Sequence, residues 1–456
     1  MALVTSDVLA PAPHPSGRPT DTVPQGARSH VADLAAFVAA APSSYHAAVE
    51  VARRAGAAGF ACLTETDEWR IEPGGRYVVV RDGSVIVFAV PSDAGPTTAF
   101  TILGAHTDST GFKLKPRPTT GSAGWWQVGV EVYGGPLLNS WLDRELELAG
   151  RLVARDGSEH LVRTGPLLRI PQLAVHLDRN VNDGLALDKQ RHTQPVWGLG
   201  SPEDADVLGA LAAEAGLDPA DVAGYDVVLA DTQPGRTFGA GQALFASGRL
   251  DNLLSVHAGL TALLAHAEGE DADEGERPVS GAVAMLAAFD HEEIGSASRS
   301  GAAGPFLEDV LARVQAGLGA GPEERRRALA ASFHVSSDVG HAVHPNYPER
   351  HDPANRPVAG GGPILKINAN QRYATDAHGA ARWNTACERA GVPSQEFVSN
   401  NAIPCGSTIG PITATRLGVR TVDVGAAILS MHSARELTAV VDPWYLSRAM
   451  RAVLEG

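Results

Sequence analysis

The feature that most limits what this 456-residue chain can fold into is an alternation of short, mainly apolar runs with longer stretches of helical periodicity. The runs TAFTILGAH (98–106) and VAMLAAF (283–289) read as buried strands, and PILKI (363–367) and TVDVGA (421–426) follow in the same style. Between them, Leu253, Val256, Leu260 and Leu263 recur at helical spacing within 252–267. Further helices are expected over 305–317, 323–332, 379–390 and 443–454. Near the start, 31–55 is Ala-rich with apolar residues at helical spacing. YVVV (77–80) and SVIVFAV (84–90) flank Asp82-Gly83, a hairpin signal. Strands alternating with helices imply an α/β fold, a mixed sheet flanked by helices.

A block from about residue 113 to 246 interrupts this alternation. Gly, Pro and Trp are frequent there and the apolar runs are short, as in WWQVGVEVYG and LVRTGPLLRI. It reads as a β-rich insertion containing one helix, over 203–215. The expected organisation is therefore a tail over 1–28, a main domain from 29–110 and 247–456, and an inserted domain over 111–246. The tail is rich in Pro, Ser and Thr and reads as flexible. The acidic stretch 270–276 reads as a solvated turn.

Composition narrows the partners. A formal charge of −15 disfavours nucleic acid and anionic membrane surfaces. There is no apolar run of transmembrane length and no signal-like N-terminus, so a cytoplasmic location is expected. The three cysteines, Cys62, Cys387 and Cys405, are far apart and form neither a disulfide framework nor a zinc-ribbon spacing.

The segments with chemistry in them lie at expected strand ends: Gly104-Ala105-His106-Thr107-Asp108, Gly248-Arg249-Leu250-Asp251-Asn252, Asp290-His291-Glu292-Glu293, Ser336-Ser337-Asp338 and Met431-His432-Ser433. Ligands of open α/β sheets collect beyond the carboxyl ends of strands. One His after a strand is more often a core or surface residue, and a lone Asp-Asn is usually a turn. Together, two histidines and three carboxylates can supply a pair of divalent cations sharing one carboxylate. Mixed His and carboxylate donors suit zinc, with manganese or cobalt as alternatives.

From about residue 30 onward the chain resembles the aspartyl aminopeptidases, the family that includes yeast vacuolar aminopeptidase I. The strings that carry the resemblance are SWLDRELELAGRL (140–152), IPQLAVHLDRNVN (170–182), SGRLDN (247–252), FDHEEIGS (289–296), SDVGHAVHPNYPERH (337–351), LKINANQRYAT (365–375), PCGSTIGPI (404–412) and MHSARE (431–436). The resemblance implies two zinc ions per subunit. His106 and Asp338 would bind one and Glu293 and His432 the other, with Asp251 bridging. Asp108 would orient the His106 imidazole. The peptide after Asp251 would be cis. Glu292 would be the general base, taking a proton from a zinc-bridging water and returning it to the leaving amine.

The same resemblance implies cleavage of N-terminal Asp or Glu from peptides, with Lys366 contacting the acidic side chain. It also implies an insertion that drives dimerisation, assembly into a tetrahedral homo-dodecamer, and a His176 that reaches a neighbouring subunit's site. His341 and His344 read equally as pocket-lining or structural histidines. Gly406-Ser407-Thr408 reads either as a grip on the substrate main chain or as a plain tight turn. Two other functions compete: a two-zinc aminopeptidase or deacylase preferring neutral substrates, and an inactive scaffold of the same architecture. The presence of every ligand and of the base argues against the second.

Overall fold

In a computed structural model, the described residues are 23–269 and 281–456, so most of the expected tail and the acidic stretch 270–276 lie outside them. A nine-stranded sheet forms the centre, in the order Ala61–Leu63, Arg76–Arg81, Ser84–Ala89, Ala282–Phe289, Ala99–His106, Phe333–Ser337, Arg420–Gly425, Ile364–Ile367, Gln395–Val398. The four middle strands Ala282–Phe289, Ala99–His106, Phe333–Ser337 and Arg420–Gly425 are parallel to one another. Antiparallel pairs flank them, so the sheet is mixed as expected.

The middle strands Ala282–Phe289 and Ala99–His106 are largely apolar because both faces are covered. Along Ala99–His106, Leu103 and Ala105 enter one core, and Phe100 and Ile102 enter the other. Successive strand side chains point to opposite faces, so apolar residues are favoured at consecutive positions rather than alternate ones. Helices Gln25–Ala40, Ser44–Ala57, Leu250–Glu268, Ala377–Ala390 and Val441–Leu454 pack on the first core. Phe306–Gly317, Pro322–Ala331 and Ile409–Leu417 cover the second. Phe100 and Ile102 are fully buried, and each such side chain stabilises the fold by about 2 kcal/mol.

The β-rich block builds a separate six-stranded sheet, in the order Glu159–Arg163, Leu146–Ala154, Val222–Asp231, Gly111–Ser122, Trp125–Tyr133, Val196–Leu199. Its core includes Phe112, Val130, Leu148, Leu152 and Val227, closed by Val207 and Leu211 of the helix Val207–Glu214. The register shifts between Leu114 and Thr119, where Pro116 and Pro118 cannot donate to a ladder.

Local readings shift in three places. The first helix begins at Gln25, within the expected tail. The Ala-rich stretch 31–55 splits into two helices, the second capped by Ser43, whose hydroxyl accepts from the His46 N–H. Arg236–Phe238 and Leu244–Ser247, read from the sequence as part of the β-rich block, instead join a third sheet with Glu436–Ala439, Ala427–Leu429 and Gly340–His341. Their pairing partner lies near the C-terminus, and local composition carries no trace of it.

Candidate metal centre and active site

The carboxyl ends of the middle strands converge on one point. Ala99–His106 ends in His106, and Ala282–Phe289 ends just before Asp290. Phe333–Ser337 ends just before Asp338. Asp251 opens the helix Leu250–Glu268, and the peptide between Asp251 and Asn252 is cis. His432 lies on the loop before Glu436–Ala439. Three of these segments need left-handed backbone: Arg249 at φ 57, His291 at φ 66 and His432 itself at φ 67. Such conformations persist in non-glycine residues only where surrounding contacts hold them.

The distances describe two donor sets that share a carboxylate. His106 Nε2 lies 3.2 Å from Asp251 Oδ1 and 3.6 Å from Asp338 Oδ1. His432 Nε2 lies 3.4 Å from Asp251 Oδ2 and 3.5 Å from Glu293 Oε2. Glu292 Oε2 is 3.9 Å from His106 Nε2. His106 Nδ1 is 3.0 Å from the Asp108 carbonyl oxygen, and His432 Nδ1 is 3.0 Å from that of Gly135. A carbonyl only accepts, so both Nδ1 atoms carry hydrogen and both Nε2 atoms aim into the carboxylate cluster.

This arrangement fits metal ions. Zinc arms of about 2.1 Å at tetrahedral angles place neighbouring donor atoms roughly 3.4 Å apart. The four donor separations range from 3.2 to 3.6 Å, too long for strong charge-assisted hydrogen bonds. Asp251 Oδ1 and Glu293 Oε1 are buried with no hydrogen-bond partner, and His106, Asp251 and Glu293 form a group able to hold a metal ion. Buried acceptors without donors are costly, and cations between them remove that cost.

The electrostatics agree. Burial lowers the pKa of His106, but the carboxylates of Asp108, Asp251 and Asp338 outweigh it and hold the imidazole well above its ordinary value. Burial also opposes protonation of His432, yet Asp251 and Glu293 push it up to about 10. Burial and the nearby Asp338, Asp251 and Asp108 raise Glu292 to about 7, against the pull of His106. Cations in the cluster would draw Glu292 back down.

Asp108 does more than the sequence implies. Its Oδ1 stands 3.4 Å from His106 Nδ1. The carboxylate also accepts the backbone N–H of Glu292 at 3.0 Å, that of Glu293 at 3.2 Å, and the Tyr133 hydroxyl at 2.8 Å. It therefore fixes the turn that carries both glutamates. Tyr133 and Gly135 come from the β-rich block, at and just after the end of its strand Trp125–Tyr133, and sequence reading assigned them no role. Glu436 was also missed: its carboxylate accepts the N–H of Asp251 at 2.9 Å and of His432 at 2.8 Å. Its only sequence signal was membership of the MHSARE string.

A cavity of about 550 Å³ opens on the cluster, lined by Asp251, Glu292, Glu293, Asp338 and His432 together with Lys366, Tyr373, Gly406, Ser407 and Thr408. Lys366 is buried. Its ammonium donates to the Val339 carbonyl at 2.9 Å and lies 5.4 Å from the Tyr373 ring centre. His344 is not brought to this cavity. It lines an adjoining one, which shares His341, Tyr373, Phe397 and Gly406 with the first. His176 lines neither and is exposed.

Residues 37–453 match the family model described as Aminopeptidase I zinc metalloprotease (M18). The chain belongs to the M18 family. A probable M18 family aminopeptidase 2 of Streptomyces avermitilis is 56% identical over 432 residues, which is 94% of this chain and 98% of the relative. A chain in a cryo-EM structure of the Ape4 and Nbr1 complex superposes with a TM-score of 0.88 at 36% identity, covering 94% of this chain and 86% of that one. The mApe1 dodecamer of S. cerevisiae gives a TM-score of 0.80 at 28% identity, with 92% and 95% coverage. As an M18 aminopeptidase the chain is a zinc metallopeptidase with an α/β fold, as the resemblance implied.

Proposed function

We propose that this M18 aminopeptidase removes N-terminal Asp or Glu from peptides, using two zinc ions. His106 and Asp338 would hold one ion, Glu293 and His432 the other, and Asp251 both. The observation that carries the reading is Asp251: one carboxylate oxygen faces His106 and the other faces His432. When bound, the ions would lower the pKa of a shared water and polarise the scissile carbonyl.

The chain's own residues supply the rest. Glu292 lines the cavity beside the cluster and takes the water's proton, then passes it to the departing amine. Asp108 holds Glu292 and Glu293 at their backbone N–H groups, so base and ligand keep a constant separation. The substrate's α-amine, a cation, is drawn to the carboxylates of the cluster, which restricts cleavage to the first residue. Lys366 supports acidic selectivity. Its ammonium is held by a carbonyl and a ring, with no carboxylate partner among the described residues, so its charge is free to meet a substrate carboxylate. Gly406 and Ser407 line the same cavity and suit contact with the substrate main chain.

We also read the chain as a homo-oligomer built from dimers, as in a dodecamer, with the β-rich block making the dimer contact. The segment around His176 supports this. Leu173, Val175 and Leu177 are 57%, 45% and 75% exposed, an apolar stretch that a second subunit would cover. No helix among the described residues is long and apolar enough to cross a membrane. A cytoplasmic site of action is the reading that goes with this.

Peptides beginning with Asp, Glu, Leu and Ala, assayed with and without chelator, test the proposal. Chelator-sensitive cleavage favouring the acidic pair is expected. Chelator-insensitive cleavage defeats the metal reading, and equal rates on all four defeat the specificity.

A further inference from the structure

We infer that Glu436 is a positioning residue for the metal pair, tying the bridging ligand to a ligand of one ion through their backbones. The inference rests on the two-metal reading above. Glu436 is 2% exposed and opens the strand Glu436–Ala439, which pairs with Leu244–Ser247. That neighbouring strand leads directly into Asp251, and His432 lies four residues before Glu436. The carboxylate therefore stands between the two loops. It serves each with a separate oxygen, Oε2 to the Asp251 N–H and Oε1 to the His432 N–H.

Among the described residues no Arg or Lys comes within ion-pair distance of Glu436, although the buried Arg249 guanidinium feels its charge; its hydrogen bonds come from these two N–H groups. A buried carboxylate with no cation in contact is expensive to keep. It is tolerable here if dications sit on the far side of the residues it holds. Glu436 thus does two things: it sets the spacing of Asp251 and His432, and it adds negative charge behind them.

The chain contains a structural counterpart. Asp442 is also buried without a cationic partner among the described residues and also accepts two backbone N–H groups, from Gly360 at 2.7 Å and Gly362 at 3.1 Å. None of these residues lines the metal cavity. A buried carboxylate that merely holds backbone together should behave like Asp442.

The test compares zinc dissociation constants, measured by chelator competition, and thermal midpoints for the wild-type protein, Glu436→Gln and Asp442→Asn. Gln can accept only one of the two N–H groups, because its amide nitrogen is a donor. Glu436→Gln is expected to weaken zinc binding about 10- to 100-fold, the usual cost of losing a residue that orients ligands. At saturating zinc, KM should stay near the wild-type value and kcat should recover in part. Asp442→Asn should lower the midpoint and leave the zinc constant unchanged.

A zinc constant within about two-fold of wild type in Glu436→Gln overturns the inference. An equal weakening in Asp442→Asn also overturns it, since the effect would then be general destabilisation. Should Glu436→Gln fail to fold, Glu436→Asp, too short to reach both loops, is read against the same thresholds. Failure of the wild-type protein itself to bind zinc would instead defeat the two-metal reading.

Discussion

The two large sheets treat buried carboxylates in opposite ways. In the six-stranded sheet buried Glu147 and Asp231 and half-buried Asp226 have basic partners. Glu147 meets Arg163 at 2.8 Å, Asp226 meets Lys113 at 2.8 Å and Arg151 at 3.2 Å, and Asp231 lies within 3.8 Å of Arg144 and Arg435. At the strand ends of the nine-stranded sheet, the ion-pair partners of Asp108, Asp251, Glu292, Glu293 and Asp338 among the described residues are imidazoles, with no Arg or Lys. Desolvating a carboxylate without a counter-charge costs several kcal/mol or more. A protein keeps such a group only where something else supplies the charge. The first pattern holds a sheet together, and the second is where the proposed metal ions and substrate would enter.

Four experiments would break or sharpen this contrast. The largest effect is expected from Glu292→Gln. General-base catalysis contributes about 10²- to 10⁴-fold, so kcat should fall by that order while metal analysis finds zinc retained. Normal turnover in a zinc-loaded variant would return Glu292 to an ordinary polar strand end. Chelator treatment comes next: peptidase activity should fall by a comparable or smaller factor, the thermal midpoint should drop, and added zinc should restore both. An unchanged midpoint would mean that the unpaired carboxylates are not awaiting cations.

Lys366→Ala should lower kcat/KM for Asp- and Glu-initiated peptides about 10- to 100-fold more than for Leu- and Ala-initiated ones, the worth of a hydrogen bond to a charged group. Equal losses on all four substrates would place Lys366 with the structural lysines. The smallest effect belongs to the other sheet. Glu147→Gln should destabilise the fold by about 1 kcal/mol, because Arg163 is 45% exposed and its charge is screened by solvent. Zinc content should not change. A loss of zinc there would show that the two sheets are not electrostatically separate.

The sequence was informative wherever local pattern and tertiary demand coincide. A strand covered on both faces favours apolar residues at consecutive positions, so TAFTILGAH and VAMLAAF could be read directly. Their polar ends fell at the strand termini because that is where an α/β sheet exposes residues to a site. The Asp82-Gly83 hairpin was legible for the same reason: Asp82 adopts φ 56 in a two-residue turn between Arg81 and Ser84. Helix boundaries moved by a few residues where capping decided them, as at Ser43.

By itself, then, the sequence determined the α/β class, the interruption by a β-rich block, and a set of His, Asp and Glu residues at strand ends. Tertiary structure decided which atoms face one another. It set the two oxygens of Asp251 toward two different imidazoles. It brought Tyr133 and Gly135 from the β-rich block to hold Asp108 and His432, and it placed Glu436 behind both ligand loops. It also left His344 in an adjoining cavity and His176 outside both. The reason is physical: periodicity reports only which face of its own element a residue occupies. A hydrogen bond between segments far apart in the chain, such as Glu436 to Asp251, depends on how those elements pack.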